Sequence, residues 1–304
     1  MTTKPRIAII GAGLMGHALA LVFADGGHEV TVTDPFPDVL ATVTDRIAAT
    51  LKMLGKDDTA VARVTPFATL AEAVKAADIV IEAAPEKLPL KQDIFEQLEQ
   101  HARPETLLAS NTSVIPIGQI AARVKSKHRV LGTHWYNPPY LVPLVEVIQT
   151  EGTAPETIST MMALLKDLGK VAVHVKKDVP GFVGNRMQHA LWREAIALVD
   201  EGVCDAETID LVVKSSFGRR LAVLGPMENA DQVGLDLTLS IQEYLMPHLN
   251  RATEPTQTLR DLMAGGNTGF KSGQGFKTWT EDEKASLRAR VADHLKLLNK
   301  LLGP

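Results

Sequence analysis

A single cysteine, Cys204, stands among 304 residues, so no disulfide can form within the chain and a stapled, loop-rich fold is excluded. It lies in Gly202-Val-Cys-Asp205 between two helix-like runs and reads as packing rather than as a nucleophile, in keeping with a reducing cytoplasm. Aromatic residues are few, at 5%. No apolar run approaches the length of a membrane span, and the first one is short and breaks into a glycine-rich turn, unlike a signal peptide. The sequon Asn111-Thr-Ser113 then carries no glycosylation meaning. Charge is balanced, 32 basic against 36 acidic residues for a net −4, with no basic run. Nucleic acid and anionic membrane are therefore not expected partners. Metal-ligand spacing, low complexity and internal repeats are also missing. What remains is an ordinary globular composition, 45% hydrophobic, at a length that predicts two domains with cores of their own.

The first positive signal is at the start. The apolar run Arg6-Ile-Ala-Ile-Ile10 ends directly in Gly11-Ala-Gly-Leu-Met-Gly16, and a helical pattern opens inside the motif. That context gives G-x-G-x-x-G its meaning. The first glycine permits a tight turn, the second lets backbone approach a pyrophosphate, and the third packs helix on strand. The helix N-terminus adds partial positive charge. A second strand, Glu29-Val-Thr-Val-Thr-Asp34, ends in a carboxylate placed to accept from ribose hydroxyls and to repel a 2′-phosphate. No arginine adjoins it, so NAD is expected rather than NADP.

Strand-like and helix-like segments then alternate as far as Val171-Val-His-Val175, which predicts a mostly parallel sheet covered on both faces. One helix is expected over Asp38–Leu54 in this region. From Asp178-Val-Pro-Gly181 onward strands nearly vanish and helix-period segments take over: Phe182–Glu201, Ala206–Lys214, Leu235–Met246 and Glu281–Leu302. The expected organisation is an α/β domain over 1–180 and an all-helical domain over 181–304, with Gly265–Gly275 as a connecting loop.

Gly132-Thr-His-Trp-Tyr-Asn-Pro-Pro139 sends a histidine out of a strand into a proline-stiffened turn, and Pro143-Leu-Val-Glu-Val-Ile148 puts a glutamate in the next strand. An imidazole oriented by a carboxylate moves protons near neutral pH. Taken alone, His134 and Glu146 are ambiguous, since many histidines and glutamates at strand ends only satisfy hydrogen bonds. Likewise Asn185 and Ser113, taken alone, read as helix or turn caps.

In order along the chain, the glycine loop, strand-end Asp34, Pro85-Glu86, Ser110-Asn-Thr-Ser113, His134-x-x-Asn-Pro, Leu144-Val-Glu-Val and Pro180-Gly-Phe-Val-x-Asn-Arg186 resemble the L-3-hydroxyacyl-CoA dehydrogenase family over essentially its whole length. The resemblance implies a Rossmann-type doubly wound domain followed by a helical domain through which the family commonly dimerises. It implies NAD-dependent oxidation of a secondary hydroxyl, with His134 and Glu146 as the proton-moving pair and Ser113 and Asn185 beside the reacting oxygen. It also makes Gly11, Gly13, Leu14, Met15, Gly16, Asp34, Glu86, Lys91 and Asn111 the cofactor contacts.

Two departures bear on the substrate. Thioester-using members carry His-Phe-Phe-Asn-Pro, whereas His134-Trp-Tyr-Asn-Pro-Pro139 is similar to the branch that includes L-gulonate 3-dehydrogenase, lambda-crystallin and L-carnitine dehydrogenase. The stretch from Asp38 to Asp58 has only Arg46, Lys52 and Lys56 to meet the 3′-phosphate of coenzyme A. A free hydroxy acid is thus expected before an acyl-CoA, with Arg186, Arg219 and Arg220 as candidate carboxylate partners. Trp135 and Tyr136 read either as pocket wall or as core. The alternative of another class is a structural or NAD-sensing protein, which has no need of the complete residue set.

Overall fold

The computed structural model describes residues 4–303. Eight short strands form one sheet: β1 (Ile7–Ile10), β2 (Val30–Thr33), β3 (Val64–Pro66), β4 (Ile79–Glu82), β5 (Leu107–Ser110), β6 (Val130–Trp135), β7 (Leu144–Ile148) and β8 (Val171–Val175). Their order is β3-β2-β1-β4-β5-β6-β7-β8. Neighbours run parallel except β6 and β7, which are antiparallel.

The inner strands are apolar on both sides because both sides are covered. Alternate residues point to opposite faces. Ile7, Ile9, Ile79 and Ile81 share one core cluster with Leu19 and Phe23 of α1 (Leu14–Asp25), Ile47 of the second helix after β2, and Met161 and Leu165 of the helix between β7 and β8. Ala8, Ile10, Val80 and Leu108 meet Val74 of α4 (Leu70–Val74), Phe95 and Leu98 of α5 (Leu88–His101) and Ile117 and Ile120 of α6 (Ile117–Ile120). Each such Val, Leu, Ile, Phe or Met side chain, when fully buried, contributes about 1.5–3 kcal/mol.

The single helix expected over Asp38–Leu54 is two, α2 (Pro37–Ala41) and α3 (Val43–Met53). Thr42 divides them: its hydroxyl donates to Val39 O at 3.0 Å, a local bond that competes with the helical ladder. The helix between β7 and β8 is α7 (Pro155–Asp167).

The chain folds as two compact units. One runs to Arg186 and takes back the chain from Ala292 onward, and the other is Met187–Val291. The segment to Arg186 is tied to the first unit by Glu146, which accepts from the Gly184 amide at 3.0 Å. The end of the last helix returns to it, where Asn299 Nδ2 donates to Leu141 O at 2.7 Å.

The second unit is helical: most of α8 (Gly184–Asp200), then α9 (Ala206–Ser215), α10 (Pro226–Val233), α11 (Leu235–Leu245), α12 (Gln257–Ala264) and the start of α13 (Glu281–Leu302). None of α9 to α12 contains a buried residue. Among the described residues no helix is long and apolar enough to cross a membrane.

Candidate active site

The strand order reverses between β1 and β4, and the glycine turn lies there, at the carboxyl ends of the strands, where open α/β sheets bind ligands. Gly11 has φ +100°, and a Cβ on it would sit 2.9 Å from Ala83 O. A Cβ on Gly16 would lie 1.7 Å from Gly11 O, so that glycine lets α1 close on the turn. Gly13 differs: a Cβ there meets nothing within 4 Å, because its missing side chain leaves an open face. No side chain caps α1, and its first turn, which includes Leu14 and Met15, holds no acid. An uncapped helix start with an open glycine beside it fits an anionic pyrophosphate.

Asp34 follows β2. Its Oδ2 accepts from Ala12 N at 2.7 Å and its Oδ1 from Phe36 N at 2.9 Å, which fixes the carboxylate beside the glycine turn. Arg46 of α3, one of the three bases available for a coenzyme A phosphate, is turned inward instead. Its guanidinium donates to Ala12 O at 2.7 Å and Val39 O at 2.9 Å, bracing the loop from below.

On the other side of the reversal a buried ionic network holds the loops after β4 and β5. Glu82 ends the apolar run of β4 and is wholly buried. Its Oε1 accepts from Lys91 Nζ at 2.7 Å and its Oε2 from the Ser110 hydroxyl at 2.6 Å. Lys91, on α5, is 1% exposed and also meets Ala84 O at 3.1 Å and Glu86 Oε2 at 3.3 Å. Of its three N–H donors two are committed, to Glu82 and to Ala84 O, and Glu86 is paired with it by charge. Lys91 is thus held beneath the loops after β4 and β5 by the two glutamates. Glu86 Oε1 accepts from Ser113 N at 2.9 Å and Val114 N at 3.1 Å. Burial opposes its ionisation, but the Thr112 hydroxyl, Lys91 and these amides outweigh that and hold it below the ordinary glutamate range. Asn111 is nearly buried and accepts Trp135 N on Oδ1 at 3.1 Å, joining the end of β5 to the end of β6. Sequence reasoning missed Glu82 and Ser110. The available signal was a charged residue closing Ile79-Val-Ile-Glu82.

His134 and Glu146 face each other in the antiparallel β6–β7 pairing. The imidazole Nδ1 lies 2.7 Å from Glu146 Oε2, and both side chains are buried. The other oxygen, Oε1, accepts from Val183 N at 2.9 Å and Gly184 N at 3.0 Å. Burial raises the carboxyl's proton affinity, but His134 and the two amides more than offset this, so it stays ionised. Such a carboxylate fixes the tautomer with the proton on Nδ1 and leaves Nε2 to accept one. Trp135 is core: it is 2% exposed and packs edge-on against Phe23 at 5.7 Å. Tyr136 is half-buried beside the imidazole.

Asn185 sits at the start of α8, and its Nδ2 donates to Ser113 O at 2.9 Å, so these two expected substrate contacts are neighbours. Ser113 is exposed and its hydroxyl makes no hydrogen bond among the described residues. Arg186 is in the same unit, with a guanidinium nitrogen 3.3 Å from Pro180 O. Arg219 and Arg220 belong to the second unit.

Comparison with known proteins shows the family. The family model for the "3-hydroxyacyl-CoA dehydrogenase, NAD binding domain" matches residues 6–179, and that for the "3-hydroxyacyl-CoA dehydrogenase, C-terminal domain" matches 181–279. The chain belongs to the 3-hydroxyacyl-CoA dehydrogenase family. It is an NAD-dependent dehydrogenase. Among curated relatives it is 36% identical to 5-formyl-3-hydroxy-2-methylpyridine 4-carboxylate 5-dehydrogenase of Mesorhizobium japonicum, with 98% of each chain covered. It is 38% identical to a probable 3-hydroxybutyryl-CoA dehydrogenase of Bacillus subtilis, covering 91% of this chain and 98% of that one. A crystal structure of 5-formyl-3-hydroxy-2-methylpyridine 4-carboxylic acid 5-dehydrogenase, described as an NAD+-dependent dismutase, superposes with a TM-score of 0.91 at 35% identity over 99% of each chain.

Proposed function

We propose that this dehydrogenase oxidises the secondary hydroxyl of a free 3-hydroxy acid. The buried His134–Glu146 pair carries this reading, since Nδ1 is committed to the carboxylate and Nε2 bonds to no protein group among the described residues. His134 Nε2 accepts the hydroxyl proton as the carbinol hydride leaves. NAD, when bound, supplies the hydride acceptor. Glu146 keeps the ring oriented and stabilises the imidazolium that forms. Proton transfer of this kind is worth on the order of a hundredfold to ten-thousandfold in rate. Ser113 and Asn185 hold the substrate oxygen, and the second Asn185 N–H can donate to its developing charge. The hydrate of an aldehyde presents the same H–C–O–H unit, so the pair would also serve a formyl acid such as the one named for the Mesorhizobium relative.

A free acid is favoured because the cations expected to meet coenzyme A are in use. Arg46 braces the glycine loop and Lys56 pairs with Asp25 at 2.5 Å, which leaves Lys52, exposed and without an ion pair among the described residues. The doubled proline of the free-acid branch agrees. The Bacillus relative's name favours the thioester as the second reading.

The test is NAD reduction by the purified protein with L-3-hydroxybutyryl-CoA, 3-hydroxybutyrate, L-gulonate, L-carnitine and the pyridine aldehyde acid. We expect turnover of one or more free acids, and a much higher kcat/KM for the thioester would overturn the assignment. His134→Gln should lose about 10²–10⁴ in kcat while still binding NAD.

We further propose that the protein is a homodimer through its helical unit. Leu211, Leu235, Leu239 and Tyr244 are 59–78% exposed. Apolar exposure of this extent, with no buried residue in α9 to α12, needs a covering surface, and a second copy of the chain supplies a self-complementary one.

A further inference from the structure

Tyr136 stands where thioester-using members of the family carry phenylalanine, and its hydroxyl has a partner. It donates to Glu146 Oε2 at 3.2 Å, the same oxygen that lies 2.7 Å from His134 Nδ1. Its ring is 4.6 Å from the imidazole, centroid to centroid, and the Phe182 ring lies 5.7 Å from it, each tilted by 50°. The two aromatic rings confine the imidazole. Room for the phenol depends on Gly184, since a Cβ there would sit 1.7 Å from the Tyr136 oxygen and 2.9 Å from Cζ.

Glu146 thus receives four donors, the imidazole and phenol on one oxygen and two backbone amides on the other. Burial, together with the charge and hydrogen bond of Glu146, pushes the ionisation of Tyr136 far up. The phenol is therefore a standing donor and not a base. No lysine, arginine or second carboxylate bonds to His134, Tyr136 or Glu146 among the described residues. Their other hydrogen-bond and ring partners are the Val183 and Gly184 amides and the Phe182 ring.

We propose that Tyr136 is a positioning residue, whose hydroxyl keeps the Glu146 carboxylate aligned with the imidazole and limits how strongly it draws the His134 proton. An oxygen that shares its charge between two donors binds each less tightly than it would bind one. Phenylalanine would leave that acceptor position empty, so the imidazolium would be held more firmly and the carboxylate less well oriented. The inference rests on His134 being the proton acceptor and adds a residue outside the family's usual set.

Tyr136→Phe is isosteric and tests it in the full-length protein. The first readout needs no substrate. The downfield proton resonance of His134 Nδ1–H, identified as the signal missing from His134→Gln, should move further downfield in Tyr136→Phe. The second uses whichever of the five compounds above is turned over fastest. The acid limb of kcat/KM for oxidation should move up by roughly half a unit to one unit. The plateau kcat should fall about fivefold or more, with KM within about twofold. Gly184→Ala, which expels the phenol by crowding, should move the acid limb in the same direction. A resonance that stays in place overturns the proposal, as does a loss confined to KM, which would make Tyr136 a pocket wall. Retained turnover in His134→Gln would instead remove the underlying assignment, so the two failures are distinguishable.

Discussion

Glu82 and Lys91 show how much one residue can carry in this molecule. A carboxylate and an ammonium, 0% and 1% exposed, have been taken out of water and returned to one another at 2.7 Å. Removing one partner strands the other, which costs about 3–5 kcal/mol, whereas replacing both with apolar groups costs far less. Lys91→Met should therefore lower the unfolding free energy by that amount in urea denaturation, and Glu82→Leu/Lys91→Met should recover much of the loss. Equal destabilisation in single and double variants would argue against the pairing. Protons act on the same scale. Glu86, Glu99, Glu146 and Asp78 are all held below their ordinary carboxylate range by hydrogen bonds and, variously, by neighbouring Lys91, His134, Arg103 or Arg129, which outweigh burial. A depressed value in the folded state means stability that is present above the ordinary values of 3.8 for aspartate and 4.5 for glutamate and is lost as pH falls through the folded ones. Tm should stay level from pH 7 to about 5 and drop steeply below about 4. A Tm that rose on acidification would contradict these directions.

The informative element is the turn from β1 into α1. Its three motif glycines do different work, and their substitutions should separate accordingly. Alanine at 16 would drive a Cβ to 1.7 Å from Gly11 O, so Gly16→Ala should lower Tm and NAD affinity together. Alanine at 13 meets open space, so Gly13→Ala should leave Tm within about a degree while weakening NAD binding about tenfold or more by crowding the pyrophosphate. Thermal denaturation and NAD titration decide it, and NAD binding unchanged in Gly13→Ala would place the cofactor elsewhere. The strand-end residues were legible because a period-two strand and a short motif are local properties. The division of Asp38–Leu54 at Thr42 was not, since the pattern continues through it and only a side-chain hydrogen bond interrupts the ladder.

At the scale of the whole molecule the two units differ in how they bury apolar surface. The first has a closed core on each face of its sheet, and the helices of the second expose large apolar side chains. If a second copy covers them, sedimentation should give twice the chain mass of 32.9 kDa, and dilution to the monomer should unfold the helical unit first. A stable folded monomer at all concentrations would refute that. The return of Asn299 to Leu141 O also ties the end of the last helix to the first unit, a long-range contact that no local pattern announces.

Sequence alone determined the chemistry that depends on short spacing: the glycine turn, the acidic strand end that marks NAD, and a histidine and glutamate on strands that a short turn must bring side by side. Tertiary structure decided what depends on distant segments meeting. Strand order places Ser110 of β5 on Glu82 of β4 and so assembles the buried network. Packing of α3 turns Arg46 from a surface cation into a brace for the glycine loop. The approach of Gly184 to the end of β6 makes room for the Tyr136 hydroxyl on Glu146. Each of these arises from burial and close approach between parts of the chain whose own residues carry no mark of the partner they meet.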